Sequence, residues 1–211
     1  MNWPDQYRWV ALCRSVGVNK LEAGWYDRLT RAYSEPQRFY HTHQHIAECL
    51  AEFDEARKLA VDPTVVEFAL WFHDAVYDPK ASDNEEQSVA LALECINSIG
   101  TNQKLSEHVA FLIMATKNHE VGTSIDAAVM VDVDLSILGR DTKHFWEYEE
   151  QIRNEYRWVP HLVFASKRAE ILKRFLSRER IFATDWFRNK YESQARLNLE
   201  ASIEALSHIT P

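Results

Sequence analysis

Glycine is scarce in this chain, with 5 residues in 211, well below the roughly 7% of average usage. Nucleotide-binding α/β folds need glycine-rich turns between strand and helix, and all-β folds need glycine in their hairpins. Neither a GxGxxG nor a GxxxxGK[ST] motif occurs in the sequence. We therefore expect any ligand to be held by side chains on helices rather than by the backbone amides of a glycine-rich loop.

Apolar residues recur at helical spacing along the chain, and helix-capping residues stand before several of these stretches. At Asp62-Pro63 a capping Asp precedes a Pro at the first helical position, and an apolar run follows. Strand-like alternation between turn residues does not occur in the sequence. The sequence therefore predicts an all-α fold. The predicted helices cover about 5–16, 20–34, 41–60, 62–72, 82–100, 104–118, 127–138, 142–158, 160–178 and 184–207.

The sequence has no internal repeat, low-complexity tract or linker rich in Pro, Gly or Ser, so we expect a single domain over residues 1–211. Its 7 Trp, 8 Tyr and 10 Phe predict a bulky aromatic core and argue against disorder. Cys13, Cys49 and Cys95 form no CxxC pair. We expect them to be small buried residues in a reducing compartment.

The first residues lack the features of a signal peptide, and no apolar run approaches the roughly 18 residues of a membrane span. We therefore expect a cytoplasmic protein with no membrane partner. The formal net charge is −8, with a strongly acidic stretch over 1–150 and a net basic stretch over 151–211. This acidity argues against an extended nucleic-acid-binding surface. It is compatible with a small phosphorylated substrate if metal ions and a few basic side chains set the local field.

Four clusters of side chains that can bind metal lie on separate predicted helices, and the first has three histidines in five residues. His41 and His45 are four residues apart, which predicts that they share one helix face while His43 points away. The plain alternative is a polar helix start with solvent-exposed histidines. The density of histidine, together with the other clusters, favours a functional site.

The other three clusters each close or interrupt an apolar stretch. His73 and Asp74 end the most apolar predicted helix, where a buried charge costs free energy unless it is paired or bound to metal. Asp132 and Asp134 interrupt a second apolar run, with capping of a helix end as the alternative role. His119 closes a third helix, either as a partner of the helix dipole or as an accessory metal ligand or phosphate contact.

The ordered series His, His-Asp and Asp on successive helices resembles the signature of the HD superfamily of metal-dependent phosphohydrolases. The whole pattern is most similar to a bacterial group known only as predicted HD phosphohydrolases. The resemblance implies an HD-type helical bundle with a motif-bearing core at about 38–139 and C-terminal helices at 142–207 packing over it. The metal ligands that it implies are His45, His73, Asp74 and Asp134.

Two stretches carry narrower resemblances. The stretch YHTHQH at 40–45 is similar to a helix of the cyclic-nucleotide phosphodiesterases, which implies that His41 donates a proton to the leaving group. The stretch HDAVYD at 73–78 resembles the HD-x-x-x-D sequence of guanosine-polyphosphate hydrolases. It implies that Asp78, one helical turn beyond the motif Asp, orients water. Those hydrolases have a second acidic residue where this chain has Tyr77, and the sequence departs from them there.

Two imidazoles and two carboxylates suit a divalent ion such as Mn²⁺, Fe²⁺, Zn²⁺ or Mg²⁺, which would polarise a phosphoryl group and activate a water. The sequence therefore predicts a metal-dependent phosphohydrolase, either a phosphomonoesterase or a phosphodiesterase, acting on a small phosphorylated metabolite or nucleotide. Basic side chains near the motifs are candidates for phosphate binding, with a solvated helix face as the alternative. These candidates are Lys80, Lys117, Arg153 and Arg168.

Two other classes of function fit the same residues. An HD-type di-iron oxygenase would need further ligands, for which His41, Asp78 and His119 are available. A non-enzymatic ligand-binding module with a structural metal would have a closed coordination sphere, whereas catalytic sites keep an open position. The presence of His41 and Asp78 beside the implied ligands favours an enzyme over such a module.

Overall fold

The structure of the protein is a computed structural model that describes residues 5–17, 24–100 and 103–209. Every regular element in these residues is helical, which confirms the predicted all-α fold. Short 3₁₀ helices at Arg57–Leu59 and Ser136–Gly139 follow α3 and α7. The α-helices are α1 (Gln6–Ser15), α2 (Gly24–Ala32), α3 (His43–Ala56), α4 (Pro63–Phe72), α5 (Asn84–Ser98), α6 (Gln103–Asn118), α7 (Ile125–Leu135), α8 (Thr142–Glu155), α9 (His161–Leu176) and α10 (Asp185–Ser207).

Local capping moves the start of α3 away from its predicted position. The helix predicted at 41–60 begins only after Thr42, because Thr42 is extended and its hydroxyl accepts a 3.3 Å hydrogen bond from the N–H of Gln44. His41 therefore precedes the helix. The expectation that His41 and His45 share one helix face is wrong for this reason.

The start of α4 agrees with the prediction, but its end changes the interpretation of the motif that follows. The carboxylate of Asp62 caps the helix by accepting two backbone hydrogen bonds of 3.2 Å. The helix ends at Phe72, so Asp74 lies in a turn. The expectation that Asp78 lies one helical turn beyond Asp74 is therefore wrong. The start predicted for α2, at residue 20, lies outside the described residues.

The contacts of the chain divide it into two compact units, Met1–Asp134 and Leu135–Pro211. In the first unit, α4 packs against α1, α3, α5 and α6. Its apolar sequence explains this position, because every side chain from Phe68 to Phe72 is fully buried. Each large apolar side chain buried in this way contributes about 1.5–3 kcal/mol. The His-Asp dipeptide therefore directly follows a helix that is held on several sides.

In the second unit, α10 packs along α9 and against the 3₁₀ segment that follows α7. Gly139 is needed at this close approach, because a Cβ there would collide with the side chain and backbone of Tyr191. The side-chain amide of Asn198 donates hydrogen bonds of 2.9 Å to the carbonyls of Leu138 and Arg140. These bonds satisfy carbonyl groups at the end of the 3₁₀ segment that have no helical donor.

All three cysteines are buried thiols, as predicted. Burial raises the pKa of the Cys13 thiol to about 12, because the thiolate would lose its solvation. Among the described residues, no helix combines the length and the apolar character that crossing a membrane requires.

Candidate metal centre

The end of α4 places His73 and Asp74 at the point where the helix stops. The N–H of His73 makes the last helical hydrogen bond, 2.9 Å to the carbonyl of Ala69. The ring Nδ1 of His73 lies 3.0 Å from the carbonyl of Leu70. Because a carbonyl only accepts hydrogen bonds, Nδ1 carries the proton, and Nε2 of the neutral ring then presents its lone pair.

Helices α3 and α7 supply two further side chains. His45 lies in the first turn of α3 and is buried, with 2% of its side chain exposed. Asp134 lies in the last turn of α7, where its side chain is 17% exposed. Because these helices and α4 belong to the same compact unit, their ends can bring the three segments together.

Four side chains that are far apart in the sequence meet at one point. Nε2 of His45 and Nε2 of His73 are 3.1 Å apart. Oδ2 of Asp74 lies 3.3 Å and 3.2 Å from these two nitrogens. Oδ1 of Asp134 lies 3.4 Å and 3.5 Å from them. The structure thus brings together the four residues that the HD resemblance implies as metal ligands.

These spacings fit donor atoms that share one divalent ion. Metal–ligand bonds of roughly 2.1 Å place neighbouring donors about 3.0 Å apart in octahedral and about 3.4 Å apart in tetrahedral coordination. The nitrogen–nitrogen and nitrogen–oxygen distances here run from 3.1 to 3.5 Å. Two carboxylates and two neutral imidazoles also carry a charge that one divalent cation neutralises.

Burial opposes charge on every group of this cluster, and neighbouring charges overcome it. Despite burial, the charges of His73 and His41 hold the pKa of Asp74 well below its usual value. The neighbouring imidazole of His119 acts on the pKa of Asp134 in the same direction. The two carboxylates in turn raise the pKa of the buried His73 well above its usual value. A metal ion that binds here must therefore displace protons.

His41 lies beside the cluster although it is outside α3. Its ring stacks on that of Tyr77, with centroids 4.1 Å apart and an interplanar angle of 28°. Its centroid is 5.8 Å from that of His45. Tyr77, which stands where the polyphosphate hydrolases have an acidic residue, is thus the stacking partner of the histidine implied as a proton donor.

His119 reaches the edge of the cluster from the end of α6. Its backbone is left-handed, with φ of 54°, a conformation that costs a residue with a Cβ about 1 kcal/mol or more. Its Nε2 lies 3.6 Å from Oδ2 of Asp134. Asp134 therefore faces His45 and His73 with one oxygen and His119 with the other.

Asp78 and Lys80 lie in an exposed turn after the motif. Oδ1 of Asp78 accepts a 2.9 Å hydrogen bond from the N–H of Lys80. The side-chain amide of Asn84 binds both the N–H and the carbonyl of Asp78, each at 2.9 Å. These contacts stabilise the turn, and none of them involves the imidazole–carboxylate cluster.

The other three candidate phosphate-binding residues have partners in their own units. Lys117 pairs with Glu86 in the first unit. Arg153 donates to two carbonyls of the loop between α8 and α9, at 2.7 Å and 3.1 Å. Arg168 is buried against Glu149 in the second unit. The burial of Arg168 gives no support to the expectation that it binds phosphate.

The interpretation of the sequence missed two residues at this site, Cys49 and Arg38. Sγ of Cys49 lies 3.7 Å from both ring nitrogens of His45, one helical turn away, and this i, i+4 spacing was the available signal. No sequence pattern marks Arg38, whose contacts are described below. A His, Cys and Asp cluster can hold a metal ion here, since one donor atom from each of its members lies within 4.8 Å of the others: His45, Cys49, His73 and Asp134.

None of the protein-family models, curated proteins or solved structures with which the chain was compared matches it.

Proposed function

We propose that this protein is a metal-dependent phosphohydrolase that acts on a small phosphorylated metabolite or nucleotide. The observation that carries the proposal is the convergence of two imidazole nitrogens and two carboxylate oxygens at spacings of 3.1–3.5 Å. A structural His–Asp hydrogen bond needs one group of each kind, whereas two of each meet here. This donor set suits Mn²⁺, Fe²⁺, Zn²⁺ or Mg²⁺.

The four side chains differ in exposure, so one side of the centre is more accessible to solvent than the other. His45 and His73 are 2% and 1% exposed, whereas Asp74 and Asp134 are 19% and 17% exposed. The substrate is therefore expected to approach from the carboxylate side. A divalent ion held by these residues would supply Lewis-acid polarisation of a phosphoryl oxygen and a water of lowered pKa.

His41 is the proposed proton donor to the departing oxygen. It is half-buried beside the cluster, and its stacking on Tyr77 fixes the plane of the imidazole. An imidazole is the side chain most often used for proton transfer near neutral pH. Loss of His41 should therefore lower the rate of hydrolysis more than it lowers metal affinity.

A two-metal centre is the second candidate, and the two-sided contacts of Asp134 favour it. Oδ1 faces the two buried histidines, while Oδ2 lies 3.6 Å from Nε2 of His119. A carboxylate that faces imidazoles through both of its oxygens could contribute to two neighbouring cation sites. The metal content decides, since a coupled pair of irons would favour the di-iron oxygenase and one ion per chain favours the hydrolase proposed first.

Metal analysis of the purified protein, followed by a screen of nucleotides and phosphoesters, tests the proposal. Asp74→Asn removes one carboxylate charge at nearly constant volume, so we expect loss of both bound metal and phosphate release. Asp126→Asn is the matched control, because Asp126 is a buried carboxylate of the same unit that accepts a 2.6 Å hydrogen bond from the N–H of Val61. We expect the control to lose stability but to keep metal and activity.

Two outcomes would contradict the phosphohydrolase. One is a protein that binds no divalent ion, and the other is hydrolysis that Asp74→Asn leaves intact. A tightly held ion with no exchangeable position, together with no turnover across the phosphoester panel, would instead support a ligand-binding module with a structural metal.

A further inference from the structure

The guanidinium of Arg38 joins the two backbone segments that carry Asp74 and His41. Its side chain has 0% exposed surface. Nη1 donates to the carbonyls of Asp74 at 2.6 Å and of His41 at 3.1 Å. Nη2 donates to the carbonyl of Ala75 at 3.0 Å, and Nε donates to the carboxylate of Glu35 at 3.0 Å. One buried side chain therefore bridges the chain before α3 and the chain after α4.

The helix stops at Phe72, so carbonyl groups at its end lack the N–H partners that a further helical turn would provide. The N–H of Ala75 serves the carbonyl of Phe72 at 2.9 Å. The hydroxyl of Tyr33 donates a 3.1 Å hydrogen bond to the carbonyl of Trp71. Arg38 serves the carbonyls of the two residues that follow His73. A buried carbonyl left without a donor costs about 1–3 kcal/mol, so this turn depends on side chains from elsewhere in the unit.

Two aromatic rings lie against the guanidinium and limit its orientation. Cζ of Arg38 is 5.2 Å from the ring centroid of Tyr33 and 5.5 Å from that of Tyr77. Tyr77 also stacks on His41. A planar guanidinium offers its donors at fixed angles and can bond several carbonyls at once, whereas the ammonium of a lysine is a single centre.

We propose that Arg38 is a positioning residue of the metal centre. By holding the backbone carbonyls of Asp74 and His41, it keeps Oδ2 of Asp74 at 3.2–3.3 Å from the ring nitrogens of His45 and His73. This inference rests on the proposed metal-binding function. A brace that served stability alone would change the free energy of unfolding without changing metal affinity in the folded protein.

Titration of the purified full chain with Co²⁺, against a competing chelator, separates these two roles. We expect Arg38→Lys to weaken Co²⁺ binding roughly 10–100-fold, the range for loss of an outer partner of a metal ligand. Arg8→Lys is the matched control, because Arg8 also bridges elements of the first unit, through Glu67 at 2.8 Å and Asp54 at 2.7 Å. We expect this control to lose stability and to keep its Co²⁺ affinity.

Arg38→Ala allows a rescue experiment. Methylguanidinium, at concentrations that leave the Tm of the wild type unchanged, should restore Co²⁺ affinity towards the wild-type value. Methylammonium at the same concentration should not, because only the planar ion can bridge the carbonyl groups in the way the arginine does.

Each outcome decides the inference. A folded Arg38→Lys protein with wild-type Co²⁺ affinity overturns it and leaves the metal site standing. Failure of both Arg38 variants to melt cooperatively also overturns it, because the residue then serves the fold as a whole. A wild-type protein that binds no Co²⁺ contradicts the proposed function itself, and the inference falls with it.

Discussion

A buried cluster of charged side chains occurs in each unit, and the two clusters are neutralised in different ways. In the second unit, Nε of Arg168 donates to the carboxylate of Glu149 at 3.2 Å, and Nη2 donates to the hydroxyl of Tyr148 at 2.7 Å. The hydroxyl of Ser202 donates to the same carboxylate at 3.1 Å. Donors and acceptors are matched within this cluster, so it needs nothing from outside the chain.

The cluster of the first unit lacks this balance. Two imidazole nitrogens and two carboxylate oxygens bring lone pairs to the same point. A buried group of acceptors is stable only with added cations, which are protons or a metal ion. The comparison shows that buried charge can be paired fully within the chain, whereas an excess of acceptors over donors requires an added cation.

The largest expected effect on stability is at the Arg168–Glu149 cluster of the second unit. Arg168→Met leaves the carboxylate of Glu149 buried without its cation, which should lower the free energy of unfolding by about 3–5 kcal/mol. Urea denaturation measures this, and Co²⁺ affinity should not change. Lys167→Met is the control, since this neighbouring residue has a side chain that is 73% exposed and should contribute little to the free energy of unfolding. Equal stability losses in the two variants would contradict the distinction.

The cluster of the first unit should respond to substitution mainly by losing Co²⁺ affinity rather than stability. Asp134→Asn removes a negative charge and a carboxylate oxygen that would bind the metal. We therefore expect Co²⁺ affinity to fall by more than about 100-fold, a larger loss than that expected for a residue such as Arg38, which contacts a metal ligand but not the metal. The free energy of unfolding without metal should change less than it does in Arg168→Met. Chelator competition and urea denaturation of the same samples provide both values. Retained Co²⁺ affinity would remove Asp134 from the site.

The pH dependence of stability should also expose the difference. The raised pKa of His73 means that its charged form contributes fully below its ordinary value of 6.5, and this contribution is lost as the pH rises through the folded value. The lowered pKa of Asp74 means that its contribution is present above 3.8 and is lost as the pH falls through its folded value.

The Tm of the protein in chelator should therefore be highest between these two limits and should fall on the alkaline side. Saturating Co²⁺ should abolish the alkaline fall, because the ion then supplies the positive charge that the protons had supplied. Thermal melts over a pH series, with and without metal, test this. An alkaline decrease of the same size in both series would contradict the proton–metal exchange.

The smallest effect is expected at Cys49. Its Sγ is equally far, 3.7 Å, from Nδ1 and Nε2 of His45, so it does not lie along the direction of the Nε2 lone pair. We expect the Co²⁺ spectrum to lack a thiolate charge-transfer band and Cys49→Ala to bind Co²⁺ nearly as the wild type does. A band that this substitution removes would show that the thiol is a ligand.

Local signals predicted much of the fold, because helix formation depends on periodicity and capping that can be read from neighbouring residues. Asp62 caps its helix as expected, and the all-α class follows from apolar spacing along the chain. The same local chemistry was missed at Thr42, whose capping bond excludes His41 from α3. The helix before the His-Asp motif ends at Phe72 as expected, but the helical spacing assumed from Asp74 to Asp78 was wrong, because Asp78 lies in an exposed turn.

The sequence by itself determined that the chain is helical and that imidazoles and carboxylates stand where apolar residues are expected. Only the tertiary structure decided which of them meet, because that depends on how the ends of α3, α4 and α7 lie within one unit. It also determined which groups individual buried arginines contact. Arg168 is buried against a carboxylate, and Arg38 is buried against backbone carbonyls beside the candidate metal centre. Burial and partners of this kind depend on contacts between residues far apart in the chain, which no local spacing reports.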